Sequence, residues 1–322
     1  MSIYSAMTSA LSGLNATSRA ADVVSSNIAN AMTEGYGTRR LDVSSKILGN
    51  SGSGVTVNAV VRQVDDVLVS LRRGAEAETS ADRKESEFFT RLEALLGTPD
   101  TPGSLTSQFA EFEARLITAA NAPWNETHLT RAVEGAQSVA AALNTLSSQV
   151  QDERLRADQD INRAVESINV TLAELDSLND SILSTRSKGG NTASLLDAQA
   201  QLVDRLSPLI PIQTRRAENG TLEIYSDDGN ILLNHRAAVI GFTPVRAMDP
   251  YADVNDGDLS ELTLNGRPLS VTGAYPAFRG GELLAMFSVR DDWGPEAQSQ
   301  LDAIARDLVD RIDTPGMDAT LL

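Results

Sequence analysis

The histidines and the carboxylate clusters of this chain are the residues whose types and spacing could support chemistry. His128 and His235 are the only histidines, and the chain contains no cysteine. Neither histidine has a carboxylate at the spacing of a metal-binding motif, so we interpret both as surface or turn residues. The lack of cysteine excludes disulfides, thiolate metal sites and a cysteine nucleophile. The sequence therefore predicts no metal and no cofactor.

Two acidic segments have compositions that could suit calcium binding or acid/base catalysis. The segment DVNDGDLSE, from Asp253 to Glu261, is similar to a calcium loop, but Gly257 comes one position too early for the EF-hand pattern. We interpret it as a solvated acidic turn. Asp227 and Asp228 lie at a predicted hairpin tip that implies no cleft. No catalytic residue is predicted, and we expect a protein that is not an enzyme.

The glycine-rich run from Gly49 to Gly54 could in principle cradle a phosphate. It matches neither the Walker A pattern nor GxGxxG, and no Lys-Ser or Lys-Thr pair follows it. We interpret it as a flexible loop that precedes one short strand containing Val55, Val57 and Val60.

The charge and composition of the chain exclude further classes of function. A formal net charge of -17 over 322 residues argues against a nucleic-acid partner, because such a surface needs clustered Lys and Arg. No run approaches the ~18 apolar residues of a membrane span, and the N-terminus lacks the pattern of a cleaved signal peptide. Aromatic residues make up only 4% of the chain, which favours an elongated helical body with thin aliphatic packing.

The elements that could position an interaction surface begin with a weakly charged N-terminal segment. Apolar residues recur at heptad spacing, which predicts a helix over about residues 3–31 with one narrow apolar stripe. The stripe residues are Ile3, Met7, Ala10, Leu14, Ala21, Val24 and Ile28. Asn30 and Gly35 are suited to end the helix, because both tolerate the left-handed conformation. This pattern leaves two interpretations open: the helix docks on its own domain, or it contacts another helix.

Helical periodicity also dominates the middle of the chain. One apolar face of Phe88, Leu92, Leu95 and Leu96 ends at Gly97, and a second predicted helix contains Leu105, Phe109, Phe112 and Leu116. A long helix is predicted from about Glu126 to Thr185. Its apolar residues are Val139, Leu143, Leu146, Val150, Ile161, Val165, Ile168, Leu172, Leu175 and Ile182. A shorter helix then ends at Pro208.

The remainder of the chain changes period and then returns to helix. Strand-length apolar segments and the turns Asn219-Gly220 and Asp228-Gly229 predict a small β module. Helical spacing resumes at Gly281, and the helix from about Glu296 to Ile312 is predicted to pack against the stretch from Ile161 to Ile182. The predicted class is mainly α with a small antiparallel β insertion (α+β). The predicted segments are an N-terminal assembly segment at 1–74, a helical bundle at 75–207, a β-rich insertion at 208–279 and return helices at 280–322.

Three phrases near the N-terminus form a long and specific motif. They are Ala10-Leu11-Ser12-Gly13-Leu14-Asn15, Asn27-Ile28-Ala29-Asn30 and Gly35-Tyr36. This motif closely resembles the N-terminal signature of the bacterial flagellar axial proteins, the rod, hook and hook-associated proteins, with small departures at Ser26 and Met32. The phrases Leu178–Ile182, Leu195–Asp197 and Gln201–Val203 are similar to those of hook-associated proteins at the hook–filament junction. Hook and rod proteins instead pass from the signature into mostly β structure.

The resemblance implies an assembly role for the N-terminal helix. In that family it pairs with a C-terminal helix, and the pairs pack side by side as the inner tube of the axial structure. The implied interface residues are Ile3, Met7, Leu11, Leu14, Val24, Asn27, Ile28 and Asn30. After Ile312 the chain ends in DTPGMDATLL, so we expect the C-terminal partner helix to be absent from this sequence.

The resemblance also implies partners and a location. The implied partners are further copies of the chain, the hook protein, the next hook-associated protein and an export chaperone, with no nucleic acid and no membrane insertion. The implied location is the extracellular flagellum, reached through the flagellar export apparatus. Alternative classes are another axial protein of hook or rod type, a wall-degrading hydrolase, and a helical signalling or adhesion module. A hydrolase would need an acid/base pair or nucleophile in a cleft, and the sequence suggests none.

Overall fold

The computed structural model describes residues 3–33, 35–48, 51–271 and 277–312. Helices account for more than half of these residues. Their bounds are α1 Ile3–Ala29, α2 Asp66–Leu96, α3 Leu105–Asn121, α4 Glu126–Ser187, α5 Ala193–Leu206, α6 Gly281–Ser288 and α7 Gly294–Ile312, with a π-helical turn at Val289–Trp293. Within the described ranges, no helix is both long and apolar enough to cross a membrane.

The described strands form three antiparallel sheets. Their order is β1-β2, β3-β4-β5 and β6-β7-β8. The bounds are β1 Thr38–Leu48, β2 Ser51–Gln63, β3 Ile212–Arg216, β4 Leu222–Ser226, β5 Ile231–Leu233, β6 Ile240–Gly241, β7 Leu262–Leu264 and β8 Arg267–Leu269. Gly220 and Gly229 adopt φ of +90° and +83° at the predicted hairpin turns, a conformation that glycine adopts without steric cost. The predicted α+β class is confirmed.

The region between α1 and α2 differs from the sequence-based prediction. Instead of one short strand, β1 and β2 form a hairpin that extends from Thr38 to Gln63. Helix α2 begins at Asp66 rather than near Ala75, because the Asp65 carboxylate accepts hydrogen bonds from the backbone amides of Val67 and Leu68 at 3.0 and 3.2 Å. Such a cap satisfies amides that have no partner within the helix. The prediction missed this start signal.

The chain divides into two compact units, each built from two separate stretches of sequence. The first unit comprises Met1–Glu78 and Ser167–Val239, and the second comprises Thr79–Glu166 and Ile240–Leu322. The four predicted segments divide the chain at other positions, and that division remains a prediction about domains. The C-terminal segment after Ile312, and Gly49 of the predicted loop, lie outside the described residues.

In the first unit, a buried amide joins a strand to the end of the long helix. Asn179 on α4 donates to the carbonyl oxygen of Leu222 at 2.9 Å and accepts from the amide of Leu222 at 2.8 Å. Gln199 on α5 donates to the same Asn179 oxygen at 3.0 Å. Because Asn179 is only 3% exposed, these bonds satisfy a polar group that would otherwise destabilise the core.

The core of the second unit corrects the predicted position of the last helix. Its buried residues come from α3, α4 and α7: Leu105, Phe112, Val139, Leu143, Leu146, Val150, Ala297 and Leu301. Helix α7 therefore packs against the Val139–Val150 part of α4, not the predicted Ile161–Ile182 part. Polar contacts fix this position, because the Gln298 side-chain oxygen accepts from Ser147 at 2.9 Å and from Gln151 at 3.0 Å. Apolar spacing alone is similar along α4 and does not select between the two parts.

Candidate assembly surface on the N-terminal helix

Helix α1 packs against the β1–β2 hairpin through a face made mostly of small residues. These residues are half-buried and recur at helical spacing. They are Ser5, Ser9, Ser12, Ala16, Ala20, Val23, Asn27 and Asn30, which we call the small-residue face. Small side chains allow the helix backbone to approach the strands closely.

A contact between Ser12 and the hairpin demonstrates how close this approach is. The Ser12 hydroxyl donates to the carbonyl of Ser9 at 2.8 Å and accepts from the amide of Val55 at 3.1 Å. A Cβ atom added to Gly54 would lie 2.1 Å from the Ser12 hydroxyl oxygen, and Gly54 has a φ of +98°. Glycine is therefore required at this position both by space and by backbone conformation.

The opposite face of α1 presents its large apolar side chains to solvent. We call these residues the N-terminal stripe: Ile3, Met7, Leu11, Leu14, Val24 and Ile28. Their exposed fractions range from 54% for Val24 to 89% for Ile3, and no residue of α1 is buried. The helix therefore docks on its own unit, but with the face opposite its apolar stripe. Contact of the stripe with another helix remains a prediction. A contiguous exposed apolar surface of this kind is typical of an interaction site.

Two of the predicted interface residues make contacts within the chain. The Asn27 amide donates to the carbonyl of Arg39 at 2.8 Å, and its oxygen accepts from the Arg39 amide at 3.0 Å and from the Tyr36 hydroxyl at 2.9 Å. The Asn30 amide donates to the carbonyl of Ser26 at 2.9 Å. The role of Asn27 and Asn30 in an interface remains a prediction, whereas their role in ending α1 and starting β1 is visible in the structure.

A carboxylate on α5 holds the base of the hairpin. The Asp197 carboxylate accepts hydrogen bonds from the Gly37 amide at 3.0 Å, from Arg39 Nη2 at 2.9 Å and from Arg62 Nε at 2.8 Å. The Arg39 guanidinium also lies 4.8 Å from the centre of the Tyr36 ring, a cation–π contact. In the sequence, Asp197 stood out only as part of a phrase similar to that family. Its hydrogen bonds reach residues ~160 positions away, and such long-range contacts leave no periodic signal in the sequence.

The residues considered for chemistry are not brought together. Among the described residues, no group of histidine and carboxylate side chains could hold a metal ion. The Asp253 carboxylate accepts hydrogen bonds from the backbone amide of Asn255 at 2.6 Å and from its side chain at 2.7 Å, which makes this segment a self-bonded turn. His128 lies in the first turn of α4, and its Nδ1 atom has no hydrogen-bond partner in the described chain.

The N-terminal region matches a known class of proteins. A family model described as flagella basal body rod protein matches residues 7–36. The matched residues include most of the N-terminal stripe, as well as Asn27 and Tyr36. The sequence of α1 and of the turn that follows it is thus similar to the N-terminal region of flagellar rod proteins.

The body of the chain identifies the family within that class. A model described as the helical domain of flagellar hook-associated protein FlgK matches residues 89–319. Because this match covers more than half of the chain, the chain belongs to that family. The resemblance inferred from the sequence is confirmed.

Individual relatives agree with this assignment. Flagellar hook-associated protein 1 of Escherichia coli is 26% identical over 295 residues, covering 87% of this chain and 53% of the relative. The protein of the same name from Salmonella typhimurium is 28% identical over 292 residues, covering 85% and 51%. The solved flagellar hook junction protein FlgK from Burkholderia pseudomallei shares the fold, with a TM-score of 0.61 at 19% identity over 76% of this chain and 43% of that one. The chain spans about half the length of the curated relatives it matches.

Proposed function

We propose that this chain is a structural subunit of the bacterial flagellum that polymerises at the hook–filament junction through α1. The observation that carries the proposal is that the two faces of α1 have different surroundings. The small-residue face packs against the hairpin, whereas the N-terminal stripe is exposed to solvent. Relatives that match over most of this chain bear the name flagellar hook-associated protein 1, which supports the junction as the place of assembly.

The physical character of the chain fits such a subunit. A net charge of -17 favours solubility and mutual repulsion before assembly. The stripe itself carries no charge, so helices can meet there without electrostatic cost, and burying each large side chain contributes ~1.5–3 kcal/mol. We propose further copies of the chain, the hook protein, the next hook-associated protein and an export chaperone as partners. The proposed location is outside the cell, and no enzymatic activity is proposed.

A charge placed on the stripe tests this function. Leu14 is 67% exposed, so Leu14→Asp is expected to change the free energy of unfolding of the isolated chain by less than ~0.5 kcal/mol. In an interface the same charge loses apolar burial and adds a desolvation cost. Because the chain spans about half the length of its relatives, the complementing gene joins it to the C-terminal part of a full-length relative. We expect this fusion to fail to restore filaments, in a strain that lacks its own junction protein, when it carries Leu14→Asp.

A matched control uses the same helix. Thr8 is exposed and outside the stripe, so Thr8→Asp adds the same charge without entering the proposed interface. Complementation by the unsubstituted fusion and by its Thr8→Asp variant, but not by its Leu14→Asp variant, supports the proposal. Equal complementation by Leu14→Asp, or a large fall in its melting temperature, contradicts it.

A further inference from the structure

The first unit contains a basic cleft that is separate from the N-terminal stripe. A cavity of about 340 Å³ is lined by the arginines Arg62, Arg186 and Arg216 and by apolar side chains that include Val61 and Leu196. No Asp or Glu of the described chain lines it. Arg62 is paired with Asp197, so in a protein with a net charge of -17 the guanidinium groups of Arg186 and Arg216 are the ones that could attract negative charge to this cavity. We call this cavity the basic cleft.

Neutral oxygen atoms hold two of the guanidinium groups in position. Arg186 Nη1 donates to the carbonyl of Asn219 at 2.9 Å. Arg216 Nη1 donates to the side-chain oxygen of Gln199 at 3.2 Å and to the carbonyl of Gly220 at 3.3 Å. Neither arginine forms an ion pair within the ranges that the structure describes. Because neutral acceptors fix these groups without cancelling their charge, the charge remains available to a ligand.

The hairpin turn is shaped around one of these arginines. A Cβ atom added to Gly220 would lie 1.7 Å from Arg186 Nη1, and Gly220 has a φ of +90°. The guanidinium therefore lies directly against the backbone of the turn, and the φ of Gly220 is one that favours glycine. Arg186 is an exposed residue, so its guanidinium stays accessible to a ligand.

The positive charges in the basic cleft interact with one another. Burial lowers the pKa of Arg216, the Asp66 carboxylate opposes that shift, and the charges of Arg62 and Arg186 lower the pKa further. Arg62 itself is paired with Asp197 at 2.8 Å. Arg186 and Arg216 thus form no ion pair in the described chain, although Asp66 partly offsets the charge of Arg216, and an added anion would relieve the repulsion between the guanidinium groups.

We propose that the basic cleft binds a carboxylate side chain from an acidic polypeptide segment that also carries an apolar residue. Arginine presents a planar fork of donors that matches a carboxylate with two parallel hydrogen bonds. The apolar wall favours a polypeptide over a free inorganic anion, because Val61 is 42% exposed and an inorganic ion cannot bury that surface. The site is distinct from the stripe and requires no assembly at the hook.

Peptide binding to the isolated chain tests this proposal. The probe is a fluorescein-labelled octapeptide with one Glu-Leu-Glu segment flanked by Gly and Ser, measured by fluorescence anisotropy at low salt. We expect Arg186→Gln and Arg216→Gln each to weaken binding about tenfold, since each removes a charge-assisted hydrogen bond. Added salt should weaken binding to the unsubstituted chain, because exposed charges are screened. Circular dichroism checks that each variant keeps its fold.

Controls separate this site from general attraction and from a free-anion site. Arg236→Gln removes an exposed arginine of the same unit outside the basic cleft. The affinity of this variant for the peptide should equal that of the unsubstituted chain. Equal weakening by Arg236→Gln, or full binding by the double variant Arg186→Gln/Arg216→Gln, overturns the proposal. A Glu-Ser-Glu peptide that binds as tightly as the Glu-Leu-Glu peptide would show that the apolar residue contributes nothing. If inorganic phosphate also displaces the labelled peptide at a concentration similar to that of unlabelled peptide, the site binds free anions and the proposal is overturned.

Discussion

The side-chain amide of Asn27 is hydrogen-bonded to both backbone polar groups of Arg39, at 2.8 Å to the carbonyl oxygen and 3.0 Å to the amide nitrogen. This pair of bonds joins the last turn of α1 to the start of β1. The Asp197 carboxylate then holds the same Arg39 through its guanidinium at 2.9 Å. These polar contacts, together with the packing of α1 on both strands, fix the orientation of α1 on its hairpin, and we expect the Asn27 bonds to hold its last turn in place.

Removing the Asn27 amide should loosen that connection locally. Asn27→Ala leaves the Arg39 amide without its side-chain partner, at an expected cost of ~1–3 kcal/mol. Hydrogen exchange of the Arg39 amide should become markedly faster, while exchange in α3 and α7 stays unchanged. Asn30→Ala is the control, because the hydrogen bonds of Asn30 to other described residues all lie within residues 26–33. Unchanged Arg39 exchange in Asn27→Ala would contradict the proposed dependence.

The Asp197 carboxylate should contribute more to stability than exposed carboxylates do. Asp197→Ala leaves Arg39 and Arg62 unpaired, and their side chains are only 20% and 15% exposed. We expect a loss of ~2–4 kcal/mol in the free energy of unfolding by urea. Asp307→Ala breaks an ion pair whose partners are 63% and 72% exposed and should cost less than ~1 kcal/mol. Equal losses in the two variants would mean that the ion pairs of Asp197 with Arg39 and Arg62 stabilise the fold no more than an exposed pair does.

Replacing only one partner of the ion pair between Asp158 and Arg290 should strongly lower the free energy of unfolding. Both side chains have no solvent exposure and lie 2.8 Å apart. Arg290→Met leaves the Asp158 charge buried without this partner, which should destabilise the second unit by ~3–5 kcal/mol. The double variant Asp158→Asn/Arg290→Met should be less destabilised than the sum of the single variants, because they share one interaction. Additive losses in a thermal or urea double-mutant cycle would contradict this coupling.

Glu223 should make the stability of the first unit depend on acidic pH. Hydrogen bonds from Arg215 at 2.8 Å and from Tyr225 at 2.9 Å lower the pKa of Glu223. A carboxyl with a lower pKa in the folded state stabilises the fold above its unfolded pKa of ~4.3, and this contribution is lost as the pH falls through the folded pKa.

The measurement is the melting temperature of Glu223→Gln relative to the unsubstituted chain. The difference should be present at pH 7 and should close as the pH falls well below 4. Glu218→Gln removes one exposed charge near the turn of the same hairpin and controls for net charge. A difference that stays constant with pH would rule out the titration of Glu223 as its cause.

Long periodic elements could be predicted from the sequence because one signal repeats many times within them. The heptad spacing from Ile161 to Ile182 predicted the later part of α4, and these residues are buried. Strand β1 was missed, because Leu41, Val43 and Ile47 stand at alternate positions but Ser45 interrupts the pattern and polar residues surround it, which leaves a weak apolar signal. The start of α2 was missed because one Asp65 cap determines it.

The candidate surface was predictable in part. The apolar spacing of α1 identified the exposed residues, whereas the side of the helix that docks is determined by small residues such as Ser12, which carry little periodic signal. The roles of Asn27 and Asp197 depend on hydrogen bonds between distant parts of the sequence. No local pattern encodes such partners, so only the three-dimensional arrangement reveals them. The assembly role of the stripe remains a prediction.

Two glycines near the α1–hairpin contact should respond to alanine in opposite directions. At Gly54 a Cβ atom would lie 2.1 Å from the Ser12 hydroxyl oxygen, and φ is +98°. Gly54→Ala should therefore destabilise the docking of α1 by at least ~1 kcal/mol. The hydrogen exchange of the Val55 amide, which donates to Ser12 at 3.1 Å, should become faster.

Gly13 is a glycine of the N-terminal signature, yet a Cβ atom there would meet nothing within 4 Å. Because Gly13 lies inside α1, Gly13→Ala should stabilise the helix by ~0.5–1 kcal/mol. Nothing in the described chain requires glycine at this position, so its requirement would have to come from a close contact between subunits. We therefore expect Gly13→Ala to raise the protection of α1 in the isolated chain and to reduce filament growth in complementation. Normal filament growth by Gly13→Ala would mean that the subunit contact does not approach α1 at Gly13.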